Sequence, residues 1–423
     1  MLQVAATIAY ALVTLGFFLR DATSPTPGPN AATIICSVLA LSTILGAFGL
    51  RGKTLESLES KCQAALPWLV GLLTIAFCNV FTLRGVGQLL QQSYWLGSLL
   101  VLFGVLPFIH FLVPRVSRYT FLITITIVLF VGLSATTTLA NKPAGLVPFA
   151  HLQQASASLL NGSNPYDEIY AETLNGDSNG EQSIQLNPLK QLPAVILSVL
   201  PSFYAMSDTR WTMLCALIAS VFLLRSMISC TERPSSKYQS IASWLPLMML
   251  YHPQTESVLR AGHQEPLFAL AIIATFWAVV KSNAIGKTIG LAGILSTSCL
   301  GPLCMPPFML LSRIQARTLV LVIALACIPS VPFLLWNRSA LLAGIDLPPN
   351  SLVAFSVAVL LGASLAIYRR RTNATKRPTD VPLVVAAVLI CFQLLTGSFG
   401  RSMGWTVCAS LLAFLHTKLG TCE

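Results

Sequence analysis

The sequence predicts an all-α protein, a polytopic bundle of about 14 membrane-spanning helices. Three observations carry this reading. Charged residues make up 10% of the 423 positions and hydrophobic residues 55%, whereas soluble domains carry about 25% charged residues. The mean hydropathy is +0.73. Apolar runs of about 20 residues recur along the chain, the length a helix needs to cross the hydrocarbon core. These runs do not alternate as barrel strands do. A backbone that must satisfy its own hydrogen bonds in lipid is then helical.

The net charge of +11 sits in short clusters between the runs: Arg115 with Arg118, Arg313 with Arg317, and Arg369, Arg370, Arg371, Lys376 and Arg377. Cytoplasmic loops carry such clusters. No polar domain exists to hold nucleic acid, which is not expected as a partner. The eleven cysteines are scattered, mostly inside apolar runs, with no CxxC pair. They suit small buried hydrophobes better than a disulfide framework or a zinc site.

In chain order, residues 2–19 form a first span without a basic leader or a small-residue cleavage site, so it is expected to stay uncleaved. Three prolines and a glycine in 20–30 stop it. Spans follow at 31–50, 63–82, 92–114 and 119–139. The loop at 51–61 is basic at both ends, which places it in the cytoplasm and the 140–190 loop outside. The chain thus divides into N-terminal helices (1–139), an external loop (140–190) and C-terminal helices (191–423), all within one integral membrane domain.

Within the external loop, Phe149, Leu152, Leu159 and Leu160 recur at helical spacing, with His151, Gln154 and Ser158 on another face. The pattern predicts an amphipathic helix over 147–160 lying at the membrane interface. Asn161-Gly162 ends it and Asn164-Pro165 turns the chain. Residues 172–188 are polar and rich in turn formers, and are expected to form a mobile loop. Later spans fall at 191–206, 210–229, 239–252, 265–281, 286–312, 318–337, 350–368, 380–398 and 403–418. Proline interrupts several, and 302–307 (PLCMPP) is the best candidate for a broken helix lining a cavity. The 239–252 run is short of spanning length. No internal repeat is visible, which weighs against an inverted-repeat transporter.

Only fifteen carboxylates are present, so their placement is informative. Asp167, Glu168, Glu172, Asp177, Glu181 and Asp208 lie in or just beyond the external loop. Asp167 and Glu168, fixed after the Asn164-Pro165-Tyr166 turn, are candidates for a general base or for holding a cation. A solvated loop would look the same. A second polar stretch, 251–265, holds His252, Glu256, Arg260, His263 and Glu265. Glu256 and Arg260 have the spacing of a helix ion pair. Glu265 precedes Pro266 at a helix start, where dipole capping alone accounts for a carboxylate. A charged group at a span's entrance otherwise pairs or faces water. His151 and Gln154 are candidates to bind a polar substrate group. His110 and His416 are lone histidines in apolar spans, and no His/Asp spacing signals a metal site. No phosphate-binding loop, dinucleotide fingerprint or nucleophile elbow occurs. Sequons stand at Asn161, Asn337 and Asn373, meaningful only in a secretory compartment.

These stretches resemble those of polytopic GT-C glycosyltransferases, membrane enzymes that use polyprenyl-phosphate-linked sugars. Leu-Leu-Asn-Gly-Ser-Asn-Pro-Tyr at 159–166, after a helix of small residues, looks like their main external loop. Leu192-Pro193 through Pro201, then Ser207-Asp208-Thr209-Arg210-Trp211, is similar to the span and turn that follow. His252-Pro253 through Gly262-His263-Gln264-Glu265-Pro266-Leu267 is similar to their HP…GxxEPL stretch, and Pro332-Phe333-Leu334-Leu335-Trp336 also fits. The resemblance covers 144–340. Two family features are missing. No acid lies between Asn141 and Tyr166, where such enzymes carry an aspartate, and 295–299 (LSTSC) lacks their lysine.

The resemblance implies sugar transfer from a polyprenyl-phosphate donor to a lipid, glycan or protein acceptor on the non-cytoplasmic face, in a bacterial inner membrane. Asp167, Glu168 or Glu265 would then supply the catalytic carboxylate. His151, Gln154, Asn164, Tyr166, Arg260 and His263 would contact substrate, with a divalent cation as an unassigned helper and membrane lipids as surroundings. A transporter or lipid carrier, and a catalytically silent relative, remain the alternatives. Counting every apolar run as a crossing puts 252–265 opposite the 140–190 loop. The two polar stretches share one side only if a short run, 239–252 first, fails to cross.

Overall fold

The computed structural model of the chain describes residues 2–23, 31–49, 147–168, 170–174, 183–187, 189–228, 245–252, 255–312, 314–344, 351–372, 380–396 and 401–420. The expected spans at 63–82, 92–114 and 119–139 and the loop at 51–61 lie outside the described residues. The chain begins with α1 (Leu2–Thr23) and α2 (Ala31–Gly49). The 140–190 loop contributes α3 (Val147–Leu160), β1 (Tyr170–Leu174) and β2 (Ser183–Asn187). Then come α4 (Pro193–Met206), α5 (Arg210–Ile228), a 3-10 turn at Leu245–Leu247, α6 (Met248–Tyr251), α7 (Thr255–Arg260), α8 (Glu265–Val280), α9 (Ala284–Thr297) and α10 (Gly301–Ser312). The C-terminal part holds α11 (Ala316–Cys327), α12 (Val331–Trp336), α13 (Arg338–Gly344), α14 (Ser351–Thr372), α15 (Val381–Thr396) and α16 (Arg401–Gly420).

The described architecture is a helical bundle. Three of its helical stretches are long and apolar enough to cross a membrane: Ala31–Phe48, Arg210–Met227 and Ala316–Trp336. The last comprises α11 and α12, joined by a 3-10 turn at Ile328–Ser330 where Pro329 and Pro332 interrupt the α-helical ladder. Only 11% of it is buried, so it stands at the rim of the bundle with apolar side chains turned outward. At the centre is α15. Every residue from Val381 to Gln393 is buried, the mark of a helix apolar on all sides and surrounded by others. It packs against α2, α10, α14 and α16.

α8 and α9 form a tight antiparallel pair. On α9, Gly286, Gly290 and Gly293 face Ala278, Thr275 and Ala271 of α8. A Cβ at Gly290 would sit 2.9 Å from the Thr275 backbone. Such small-residue contacts let helix backbones approach where no hydrophobic force drives association. The pairing puts the start of α8, with Glu265, beside the end of α9. Lys281, at the far end of α8, lies about 24 Å away, the length of sixteen helical residues.

The 251–260 stretch is anchored inside the bundle. His252 is buried, with Nε2 3.4 Å from Thr14 Oγ1 of α1 and its ring edge-on to Tyr10. Trp405 of α16 donates from Nε1 to Thr255 Oγ1 (2.9 Å), and Thr255 donates to the Met249 carbonyl (2.6 Å).

Several expectations are corrected. The 172–188 stretch is not loop throughout: β1 and β2 pair antiparallel, Tyr170 opposite Asn187 and Leu174 opposite Ser183. This hairpin is the departure from an all-α fold among the described residues. The 286–312 run is broken at 298–300, ahead of its prolines, and α10 continues through Pro306 and Pro307. The described part of the 239–252 run is one 3-10 turn and one short helix, too short to cross. The faces of α3 also differ. His151, Leu152, Ala155, Ser156 and Ser158 are buried, and Leu160 is exposed. Ser156 and Ser158 donate to their own helix, at the Leu152 and Gln154 carbonyls. That satisfies the hydroxyls and lets a Ser/Ala face pack inward. The cysteines that the structure describes are free of disulfides.

Candidate functional site at the mouth around helix α3

α3 lies between the two polar stretches that the sequence singles out. On one side Leu152 joins Val195 and Val199 of α4 and Met213 of α5, with Leu259 and Leu267 packed against them. On the other, Ala155 joins Tyr166, Tyr170, Leu189, Ile196, Phe333 and Leu341.

The Asn164–Asp167 turn is built by its own residues. Asn164 Oδ1 accepts from the Tyr166 N–H (3.2 Å), and the Asn164 carbonyl accepts from the Asp167 N–H (3.1 Å). Asn favours such local turns. Tyr166 is buried, donates to the Gln191 carbonyl (2.6 Å) and meets Phe333 edge-on at 5.4 Å. Tyr170 donates to the Pro165 carbonyl (2.8 Å) and lies 5.0 Å from the His151 ring. Burial pushes both phenols above their ordinary range, with the Glu168 charge adding at Tyr170, so both act as neutral donors. Asn164, Tyr166 and His151, expected to contact substrate, are buried: Asn164 and Tyr166 hold the turn, and His151 packs beside Tyr170.

Asp167 and Glu168 are the carboxylates this turn presents. Asp167 is exposed and accepts from Asn337 Nδ2 at 2.6 Å. Glu168 Oε2 lies 3.4 Å from Gln154 Nε2.

The second stretch reaches the same helix. Gly262 has φ +63°, and a Cβ there would stand 3.1 Å from the Phe149 Cα and Cβ. The 261–264 turn therefore rests on the start of α3, while the 164–168 turn reaches Gln154 and Ala155 further along the same helix. Next to it, His263 Nδ1 is 3.8 Å from Glu265 Oε2, an ion-pair distance outside hydrogen-bond range. Glu265 Oε2 is buried with no hydrogen-bond partner among the described residues. The side chains of Arg260 and His416, and all of His110, lie outside the described residues. Gly262→Val is expected to cost about 1–2 kcal/mol from the left-handed backbone alone, and the new side chain also pushes α3 away. Faster proteolysis around 147–160 in the detergent-purified variant is the check.

Sequence reasoning assigned no role to Asp208 and Arg210, which lock the same corner. Both are buried. Arg210 Nε lies 3.0 Å from each Asp208 oxygen and Nη2 2.5 Å from Oδ2. Asp208 Oδ1 also accepts from the Arg210 N–H (2.8 Å). The guanidinium stacks on the Phe149 ring at 4.2 Å. The signal that was available is an Asp and an Arg two apart at a span's start, where unpaired charges are costly.

No protein-family model, curated protein or solved structure matches this chain. A functional reading rests on its own residues.

A cavity of about 220 Å³ opens beside the mouth, lined by Leu192, Leu295, Ser296, Ile323, Ala326, Cys327 and Ser330. It lies next to Gln191, which holds Tyr166, and against the outward-facing α11.

Proposed function

We propose that this chain is a membrane glycosyltransferase that moves a sugar from a polyprenyl-phosphate donor to a lipid, glycan or protein hydroxyl at the non-cytoplasmic face of a bacterial inner membrane. The observation that carries the reading is that the Asn164–Asp167 turn and the Gly262–Glu265 turn both pack on helix α3, the first at Gln154 and Ala155 and the second at Phe149. A sugar-transfer site needs a base for the acceptor and a positive group for the departing phosphate. These two turns supply candidates for each. Two further features support the reading. The cavity against α11 presents Leu192, Leu295, Ile323 and Ala326, a lining suited to an apolar chain. Lys281 lies at the opposite end of the bundle, and placing it inside puts the mouth outside.

In the reaction, the acceptor oxygen attacks the anomeric carbon and its proton passes to the Asp167 carboxylate. The bond from the anomeric carbon to the phosphate oxygen breaks, and its electron pair leaves on polyprenyl phosphate. His263, beside Glu265, is the described candidate for the positive group that meets the growing negative charge. Among the described residues no three His, Cys, Asp or Glu side chains converge. Asp167 and Glu168 are each taken up by an amide neighbour. These groups do not fit a cation cradle, and no step is routed through one.

The test uses the full chain in proteoliposomes, supplied with polyprenyl-phosphate-linked sugars and a membrane acceptor extract. Release of polyprenyl phosphate together with a glycosylated product supports transfer. Solute uptake without a covalent product would replace the reading with a carrier. Neither outcome would leave a catalytically silent membrane protein.

A further inference from the structure

Asp167 is held from a distance in sequence. Its partner Asn337 lies 170 residues away, between α12 and α13. Asn337 is fixed at both ends of its carboxamide. Oδ1 accepts from Ser339 Oγ (2.8 Å) and from the Ala340 N–H (3.2 Å), which makes it the N-cap of α13. Two donors at the oxygen decide the amide's orientation, so the nitrogen faces outward. There it donates to Asp167 Oδ1. One helical turn earlier, Phe333 packs on Tyr166. The 164–167 turn is therefore pinned at two points, one apolar and one polar.

We infer that Asn337 is the positioning residue for Asp167. It occupies one carboxylate oxygen, holds the plane of the group and leaves the other oxygen for the acceptor hydroxyl. What Asp167 does there rests on the proposed transfer reaction, while where it is held does not. The arrangement also ties the carboxylate to the end of α12, which follows directly on Ile323, Ala326, Cys327 and Ser330 of the cavity lining. A donor chain seated there and the base would then be referenced to one continuous stretch, Ala316–Trp336.

Capping and donation can be separated. Asn337→Asp keeps an N-cap of equal quality but replaces the donor with a second carboxylate. Asp167→Asn combined with Asn337→Asp restores a hydrogen bond with donor and acceptor exchanged. Two readouts are taken on the full chain in detergent or proteoliposomes: the rate of proteolysis across 161–188, and sugar transfer. Asn337→Asp alone is expected to speed cleavage and to lower kcat about 10- to 100-fold with donor KM little changed, the rate equivalent of losing one hydrogen bond to a charged group. The exchanged pair is expected to regain protection and not turnover, since its carboxylate now sits on α13. Wild-type protection in Asn337→Asp, or no recovery in the exchanged pair, would overturn the tie. Recovery of turnover in the exchanged pair would overturn the positioning role. If the wild-type chain transfers no sugar, the proteolysis readout still decides the tie, and the reaction alone is refuted.

Discussion

Asp167→Asn is expected to lower sugar transfer by about 10²- to 10⁴-fold, the contribution of a positioned base. The substitution is unusually clean here. An asparagine oxygen still accepts from Asn337, so the turn stays pinned while the proton acceptor is lost. Glu168→Gln is the comparison. Its only close partner among the described residues is Gln154 at 3.4 Å, and an amide pair at that place leaves the base untouched, so a small loss is expected. The measurement is kcat for release of polyprenyl phosphate in proteoliposomes, with folded yield followed in parallel. Full transfer by Asp167→Asn would remove it as the base. If Glu168→Gln or Glu265→Gln then abolished transfer, the role would pass to that residue.

The second large effect is on folding. Asp208→Ala leaves the Arg210 guanidinium buried without its counter-charge, a change that costs about 3–5 kcal/mol when one partner of a buried pair is removed. The loss is felt beyond α5, because the same guanidinium stacks on Phe149 and Phe149 carries the Gly262 turn. A lower melting temperature and a mouth open to protease are expected together. Asp208→Ala with Arg210→Met should recover most of the stability, since an apolar replacement of a buried pair is often neutral. An unchanged melting temperature in the single variant would show that the corner does not depend on the pair.

Much of the fold class was legible because composition and run length bear on it directly: 55% hydrophobic residues leave few alternatives to membrane helices. The turn at 161–167 was legible for a local reason, since Asn-Gly and Asn-Pro dictate backbone shape by themselves. The meeting of the two polar stretches was not. It depends on whether 239–252 crosses, and a run of that length is ambiguous by hydropathy. The contact that links the second stretch to α3 joins Phe149 to Gly262, whose positive φ no neighbouring residue announces. Asn337 looked like a sequon because its cap and its donation need a folded partner. On α3 the polar labels of His151 and Ser158 misled, since serine hydroxyls satisfied by their own helix lose their preference for water. The repeat of small residues at 155, 156 and 158 was the signal for close packing instead.

The distance in sequence between Asp167 and Asn337 has a consequence for biosynthesis. A ribosome adding about 5–20 residues per second exposes the external turn roughly 9–34 s before the residue that pins it exists. For the first 95 residues of that stretch, until residue 262 is made, α3 also lacks the Gly262 turn against which Phe149 rests. The nascent chain therefore carries an assembled but unfastened loop through the insertion of several later helices. The mouth is completed only when α12 and α13 emerge, so its closure is a late step in biogenesis. A truncation before residue 337 should give a membrane-inserted chain whose external loop is never fastened.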